Sequence, residues 1–155
     1  MVVEHERPPY GAYAAIAASF AGLLATAGAL GRLLDRDPQC QTALDFVVLA
    51  LASFKAARTL AHDRVTAPVR APFVEGEADT DDEQPVRSGD LQQAIGELVT
   101  CSRCVGTWVA AGLASTQIVA PRFGRLLTWS LGAAAANDFL QGGFSALCGK
   151  ANELS

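Results

Sequence analysis

The chain has 155 residues, half of them hydrophobic, and a formal net charge of −4. That length is one domain's worth of polypeptide, and an acidic chain without a basic patch is excluded as a nucleic-acid binder. With only His5 and His62 as histidines, and no GxGxxG, Walker, HExxH or G-x-S-x-G string, hydrolytic triads and multi-histidine metal centres are not expected.

Four apolar stretches dominate the chain: residues 10–34, 42–61, 105–120 and 125–147. A hydrocarbon core about 30 Å thick takes about 20 helical residues. The expected fold is therefore all-α: a multi-pass membrane helical bundle of four transmembrane helices, with a polar loop between the second and third. One membrane domain covers residues 1–155, with helices at 10–34, 42–61, 101–120 and 125–147. The loop is 62–100, with an acidic, mobile stretch at 75–90.

The first stretch carries no charge before Arg32. Ala25-Thr26-Ala27 has the form of a signal-peptide cleavage site, but Glu4 and Glu6 oppose Arg7, and the apolar run continues past that site. It reads as a retained anchor rather than a cleaved leader. Small residues recur at four-residue steps, as Ala14, Ala18, Gly22 and as Ala21, Ala25, Ala29. That spacing predicts a helix-packing face, because small residues let backbones approach in lipid. Asp35, Asp37 and Pro38 then make a turn.

The second stretch carries Asp45, Lys55 and Arg58, and the fourth holds Asn137 and Asp138. Charges at membrane depth cost several kcal/mol unless paired, so Asp45, Lys55, Asn137 and Asp138 are the intramembrane polar candidates. Lys55 and Asp138 each lie about 13 residues into their stretches, which run the same way in a four-helix bundle. An ion pair between them is predicted. Asp45 is expected near Arg122 or Arg125 at the outer end.

In the loop, Pro68 and Pro72 predict an extended segment over residues 65–73. Six acids between Glu75 and Glu83 follow and predict a solvated run that does not fit a calcium loop. Asp90 and Gln93 predict a capping box for a short amphipathic helix over residues 91–99.

That helix leads into Cys101-Ser102-Arg103-Cys104-Val105-Gly106-Thr107-Trp108. Two thiols three apart at a helix start share a face, and the helix dipole there stabilises a thiolate. The pair can form a disulfide, exchange disulfides, give two ligands to a soft metal, or simply pack. Trp108 fits an interfacial aromatic. With Cys148 and His62 on the same side, a Cys3His zinc site from Cys101, Cys104, Cys148 and His62 is an alternative to no cofactor at all. Cys40 falls on the opposite side.

The string Cys101-x-x-Cys104-x-Gly106-x-Trp108, preceded by Gly96-Glu97-Leu98, resembles the signature of domain-of-unknown-function family 1360. The segment Val65-Thr66-Ala67-Pro68-Val69-Arg70-Ala71-Pro72-Phe73-Val74-Glu75 resembles that family's other recurring segment. The resemblance implies a small bacterial integral membrane protein, in some members linked to sporulation, and it implies no catalytic residues.

The function expected is that of a structural or accessory membrane subunit without enzymatic activity. Its partners would be the lipid bilayer and other subunits or further copies of itself. A membrane thiol protein acting through Cys101 and Cys104 is the alternative, and an oligomeric channel or transporter built on Lys55, Asn137 and Asp138 is a third. The flanking Lys and Arg residues are biased eight to four. This places both termini and the central loop on the cytoplasmic side of the cell membrane.

Overall fold

The structure is a computed structural model that describes residues 8–36, 41–76 and 83–153. Among these it is all-helical apart from a two-residue hairpin. The helices are α1 (Tyr10–Leu33), α2 (Ala43–His62), α3 (Ala67–Arg70), α4 (Leu91–Thr100), α5 (Ser102–Val119) and α6 (Pro121–Glu153). Strands β1 (Val74–Glu75) and β2 (Gln84–Pro85) pair antiparallel between α3 and α4.

The four long helices run alternately up and down. Tyr13 of α1 meets Glu97 just before α5, and Gly31 meets Ile118 near the end of α5, so α1 and α5 are parallel. Gly132 packs on Val48, and Phe139 stacks on Phe54 at 5.6 Å, so α6 runs parallel to α2. The central loop and the start of α1 therefore share one end of the bundle. The two short connections share the other.

Helices α2, α5 and α6 form the centre, and small residues line their contacts. Ala52, Ala57, Ala61, Val105, Leu113 and Ala135 are buried. A side-chain carbon on Gly124 would lie 2.5 Å from the Gln117 nitrogen, and one on Gly132 would lie 3.0 Å from Val48 Cγ1. Glycine is needed there because the two backbones touch. Polar groups in these helices are satisfied locally: the Ser53 hydroxyl donates to the Leu49 carbonyl, and Thr128 to Gly124. Gln117 donates to Thr128 at 2.9 Å, linking α5 to α6.

Helix α1 lies to one side, and its small-residue faces are not its packing face. Ala14, Ala18, Ala21, Gly22, Ala25 and Ala29 are all exposed. Contact is made by Tyr13, Phe20 and Gly31 instead, with Phe20 edge-on to Trp108 at 5.1 Å. Trp108 thus anchors α1. Large side chains reach a neighbouring helix across a wider gap than alanine can, so the aromatic residues set the approach.

Proline did not enforce an extended loop. Residues 64–66 form a 3-10 turn, and Pro68 sits in the first turn of α3, where its missing N–H costs nothing. The fourth apolar stretch is part of a longer helix, α6, whose C-terminal half exposes Phe139, Leu140, Phe144 and Leu147 and projects past the contact of Phe139 with Phe54. Among the described residues, α1 alone is long and apolar enough to cross a membrane by itself. The three charges on α2 and the polar residues within α5 and α6 keep the other helices below that mark, so length and composition by themselves do not establish four spans.

The loop is organised by Arg70, whose side chain is 1% exposed. Its guanidinium donates to the carbonyls of Leu60 (2.8 Å) and Asp63 (3.1 Å), to the Thr66 hydroxyl (2.7 Å), and to both carboxylate oxygens of Glu83 (3.1 and 3.0 Å). Glu83, expected within the solvated acidic run, is instead a buried partner; residues 77–82 of that run lie outside the described residues. Arg70→Ala should destabilise the protein by about 3–5 kcal/mol, because the Glu83 carboxylate is left buried and unpaired. Replacing both, as Arg70→Met with Glu83→Leu, should cost less than the single change. Thermal melts of the two variants in detergent measure this.

Candidate functional site

The Cys101–Cys104 region is built where α4 hands over to α5. Asp90 caps α4: its carboxylate accepts the Gln92 N–H at 2.9 Å and the Ser88 hydroxyl at 2.6 Å. These bonds hold the Asp90 pKa below the ordinary carboxylate value. Gln93 completes the cap from one residue further back than a capping box, accepting from the Gly89 N–H at 2.9 Å. Gly89 has a φ of +74°, a conformation that suits glycine. The amide of Gln93 then donates to Glu97 at 3.0 Å, and Glu97 also accepts from the Tyr13 hydroxyl. A chain of hydrogen bonds thus runs from the loop through α4 into α1.

Gly96 faces away from that chain. A side-chain carbon there would collide with the Phe73 carbonyl oxygen and lie 3.0 Å from Pro85, so glycine lets α4 rest on the hairpin. The Gln92 amide donates to the Pro72 carbonyl at 2.6 Å, fixing the same contact from the other edge. Helix α4 is held on both faces, and it delivers Cys101 to the start of α5.

Cys101 is the N-cap of α5 rather than its first helical residue, and its sulfur accepts the Cys104 N–H at 3.3 Å. The two sulfurs are joined as a disulfide, with the Cα atoms 5.2 Å apart. Cys104 is exposed and Cys101 half-buried. A cleft of about 370 Å³ opens beside Cys104, between α1 and α5, walled by Tyr13, Ile16, Phe20, Leu98 and Trp108, with Glu97 at its edge. On the other side, Ser102 and Arg103 share a cavity with Arg58 and His62.

Cys148 is a free, exposed cysteine on the projecting part of α6. No group of three or more His, Cys, Asp or Glu able to hold a metal is found among the described residues. The structure therefore does not assemble Cys101, Cys104, Cys148 and His62 into a zinc site, since two of the thiols are bonded to each other. Cys40 lies outside the described residues.

Lys55 and Asp138 are brought together, with Nζ 2.6 Å from Oδ2. The stacked rings of Phe54 and Phe139 lie beside the pair on the same two helices. Asn137 is exposed on the next position of α6. Asp45 lies in the first turn of α2. It closes a capping box at the start of α2, accepting from the Thr42 N–H (3.0 Å) and hydroxyl (2.8 Å) while the Thr42 oxygen accepts the Asp45 N–H (3.2 Å). The Thr42-x-x-Asp45 spacing carries that signal in the sequence. Asp45 and Arg125 line one cavity, and Arg125 stacks over Trp129 at 5.7 Å.

Arg70 and Glu83 were not among the expected site residues. Their signal was an arginine between two prolines in an otherwise apolar segment, with a carboxylate 13 positions on.

Comparison with known proteins places these features in a wider group. The family model DUF1360, described as a protein of unknown function, matches residues 48–144. Sporulation protein YjcA of Bacillus subtilis (strain 168) is 34% identical over 85 residues, covering 51% of this chain and 72% of the relative. UPF0713 protein YngL of the same organism is 27% identical over 99 residues, covering 63% and 76% respectively. No solved structure matches the chain. The matched stretch contains Lys55, Arg70, Glu83, the cysteine pair and Asp138, and it leaves out α1.

A water-exposed Lys–Asp pair couples by at most about 1 kcal/mol. The Lys55 and Asp138 side chains are 26% and 45% exposed, so their coupling is expected at about 0.5–1 kcal/mol. A double-mutant cycle with Lys55→Met and Asp138→Leu, read by denaturation, checks this. The charge-swapped pair Lys55→Asp with Asp138→Lys should recover most of the stability.

Proposed function

The chain belongs to the DUF1360 family of proteins of unknown function, and from that premise we propose that it is a multi-pass bacterial membrane protein with a structural or accessory role. The observation that carries the reading is the apolar outer surface. Helix α1 has 24 residues, of which Gly31 alone is buried. Leu23, Leu33, Phe46, Val47, Phe123, Leu126, Phe139 and Leu140 are exposed on α1, α2 and α6. In water, an apolar surface of that extent drives association. In lipid it is the ordinary outer face of a bundle.

The interior fits the same solvent. Close packing through Gly and Ala, and hydroxyls that return to their own helix, are how helices associate without a hydrophobic drive between them. The alternating direction of α1, α2, α5 and α6 suits four passes, with the termini and the Arg70 loop on the cytoplasmic side. The Lys55–Asp138 pair holds α2 and α6 in register there, which makes it a structural element rather than a conduction path. Such a pair serves the packing of the bundle, in keeping with an accessory role. The name of one relative points that role toward membranes of the sporulating cell.

Fractionation of the producing cells tests the reading. The protein should stay with the membrane after alkaline carbonate washing, which strips peripheral proteins. An impermeant maleimide applied to intact cells should label Cys40 and spare Cys148, which should react only after permeabilisation. Release by carbonate would refute membrane integration. Labelling of Cys148 from outside would reverse the orientation.

A further inference from the structure

We propose that Cys101 and Cys104 form a thiol–disulfide exchange site for a cysteine pair on a partner protein, entered through the apolar cleft beside Cys104. The bond does little for the fold. It spans three positions at one helix start, and a cross-link constrains the unfolded chain least when its loop is short. Nothing else in the packing of α4 on α5 depends on it, since the hairpin and the Gln93–Glu97–Tyr13 chain already hold α4.

The geometry is asymmetric in the way exchange needs. Cys104 is exposed and faces the cleft, so its sulfur is the one an incoming thiolate reaches. Cys101 is half-buried at the N-cap, and its sulfur already accepts the Cys104 N–H. The N-terminal dipole of the 18-residue α5 and the neighbouring Arg103 favour negative charge at that sulfur. Cys101 is therefore the better leaving group, and leaving-group stability speeds exchange.

The step balances as follows. A partner thiolate attacks Cys104 Sγ, and the Sγ–Sγ electron pair departs with Cys101 as a thiolate. A mixed disulfide then joins Cys104 to the partner. The partner's second thiolate attacks its own sulfur in that bond and expels Cys104 as a thiolate. The partner leaves as a disulfide, two electrons poorer, and its two protons pass through water to Cys101 and Cys104. The reverse sequence returns the electrons to a partner disulfide.

The cleft selects the partner. Tyr13, Phe20, Leu98 and Trp108 make an apolar wall, with Glu97 as the carboxylate at its edge. A cysteine flanked by aromatic or aliphatic side chains fits that wall, whereas an acidic flank meets Glu97 and the apolar rings.

The test uses the full chain in detergent with Cys40→Ser and Cys148→Ser, so that the pair supplies every thiol. Two synthetic dithiol peptides serve as probes, alike except for phenylalanine or glutamate flanks. Acid quenching, maleimide capping and mass spectrometry give the rate. The phenylalanine peptide should reduce the pair at least about tenfold faster than the glutamate peptide. With Cys101→Ser added, and the probe supplied as the disulfide-linked dimer of a single-cysteine phenylalanine peptide, the Cys104 thiolate should open that bond, release one peptide as a thiolate and accumulate the other as a mixed disulfide. With Cys104→Ser instead, trapping on Cys101 should be about tenfold weaker. No reduction by either peptide would overturn the site. Equal rates would overturn the cleft as its entrance, and equal trapping would overturn the assigned order of attack. The peptide comparison needs neither of the added serine variants, so a folding defect in one leaves it decisive.

Discussion

The buried guanidinium of Arg70 is the constraint on which the loop end of the bundle depends. A buried guanidinium needs acceptors around its planar fork when water is excluded. Leu60 and Asp63 supply carbonyls at the end of α2, Thr66 supplies a hydroxyl, and Glu83 supplies the matching charge. One side chain therefore terminates a helix, turns the chain and fixes the hairpin. The hairpin then seats Gly96, and α4 aims Cys101 at the start of α5. An arginine suits this position where a lysine does not, because a point charge cannot bond two carboxylate oxygens and two carbonyls in one plane.

The bundle uses two kinds of helix contact. In the centre, α2, α5 and α6 meet through glycine and alanine, with backbones close enough that Gly124 and Gly132 have no room for a side chain. Helix α1 meets the centre through large rings, Phe20 on Trp108, and through the Tyr13–Glu97 hydrogen bond. The first kind is tight at its glycines. The second is looser and leaves the space beside Cys104. The cleft thus follows from the way α1 is attached, and α1 lies outside the stretch matched by the family model. The cysteine pair is within the matched stretch, while part of the wall that faces it is contributed by α1.

Polar groups are placed by the same economy. The hydroxyls of Ser19, Thr26, Ser53, Thr116 and Thr128 return a hydrogen bond to their own helix, and no buried side-chain polar atom among the described residues lacks a partner. Asp45 and Asp90 close helices, and Lys55 pairs with Asp138 and Arg70 with Glu83. The Cys101–Cys104 disulfide and the free thiol of Cys148 are not used in holding the bundle together.

What the sequence determined by itself was whatever short-range rules govern. The long apolar runs marked the long helices, Asp90 marked a cap, and matching depths brought Lys55 to Asp138, because helical rise converts sequence position directly into height. The Cys101-x-x-Cys104 spacing put two sulfurs within bonding reach at one helix start. Tertiary structure decided the rest. It turned the Pro68 segment into a helix, since proline is neutral in a first turn and Arg70 rewarded the turn that followed. It drew Glu83 out of the acidic run, because only a folded chain offers a desolvated guanidinium worth pairing. It left the alanine faces of α1 open and seated that helix on aromatic rings, a choice that rests on the shape of α5 and not on the spacing within α1. It also bonded the cysteines to each other instead of gathering Cys148 and His62, since ligands far apart in the chain converge only if the packing carries them together.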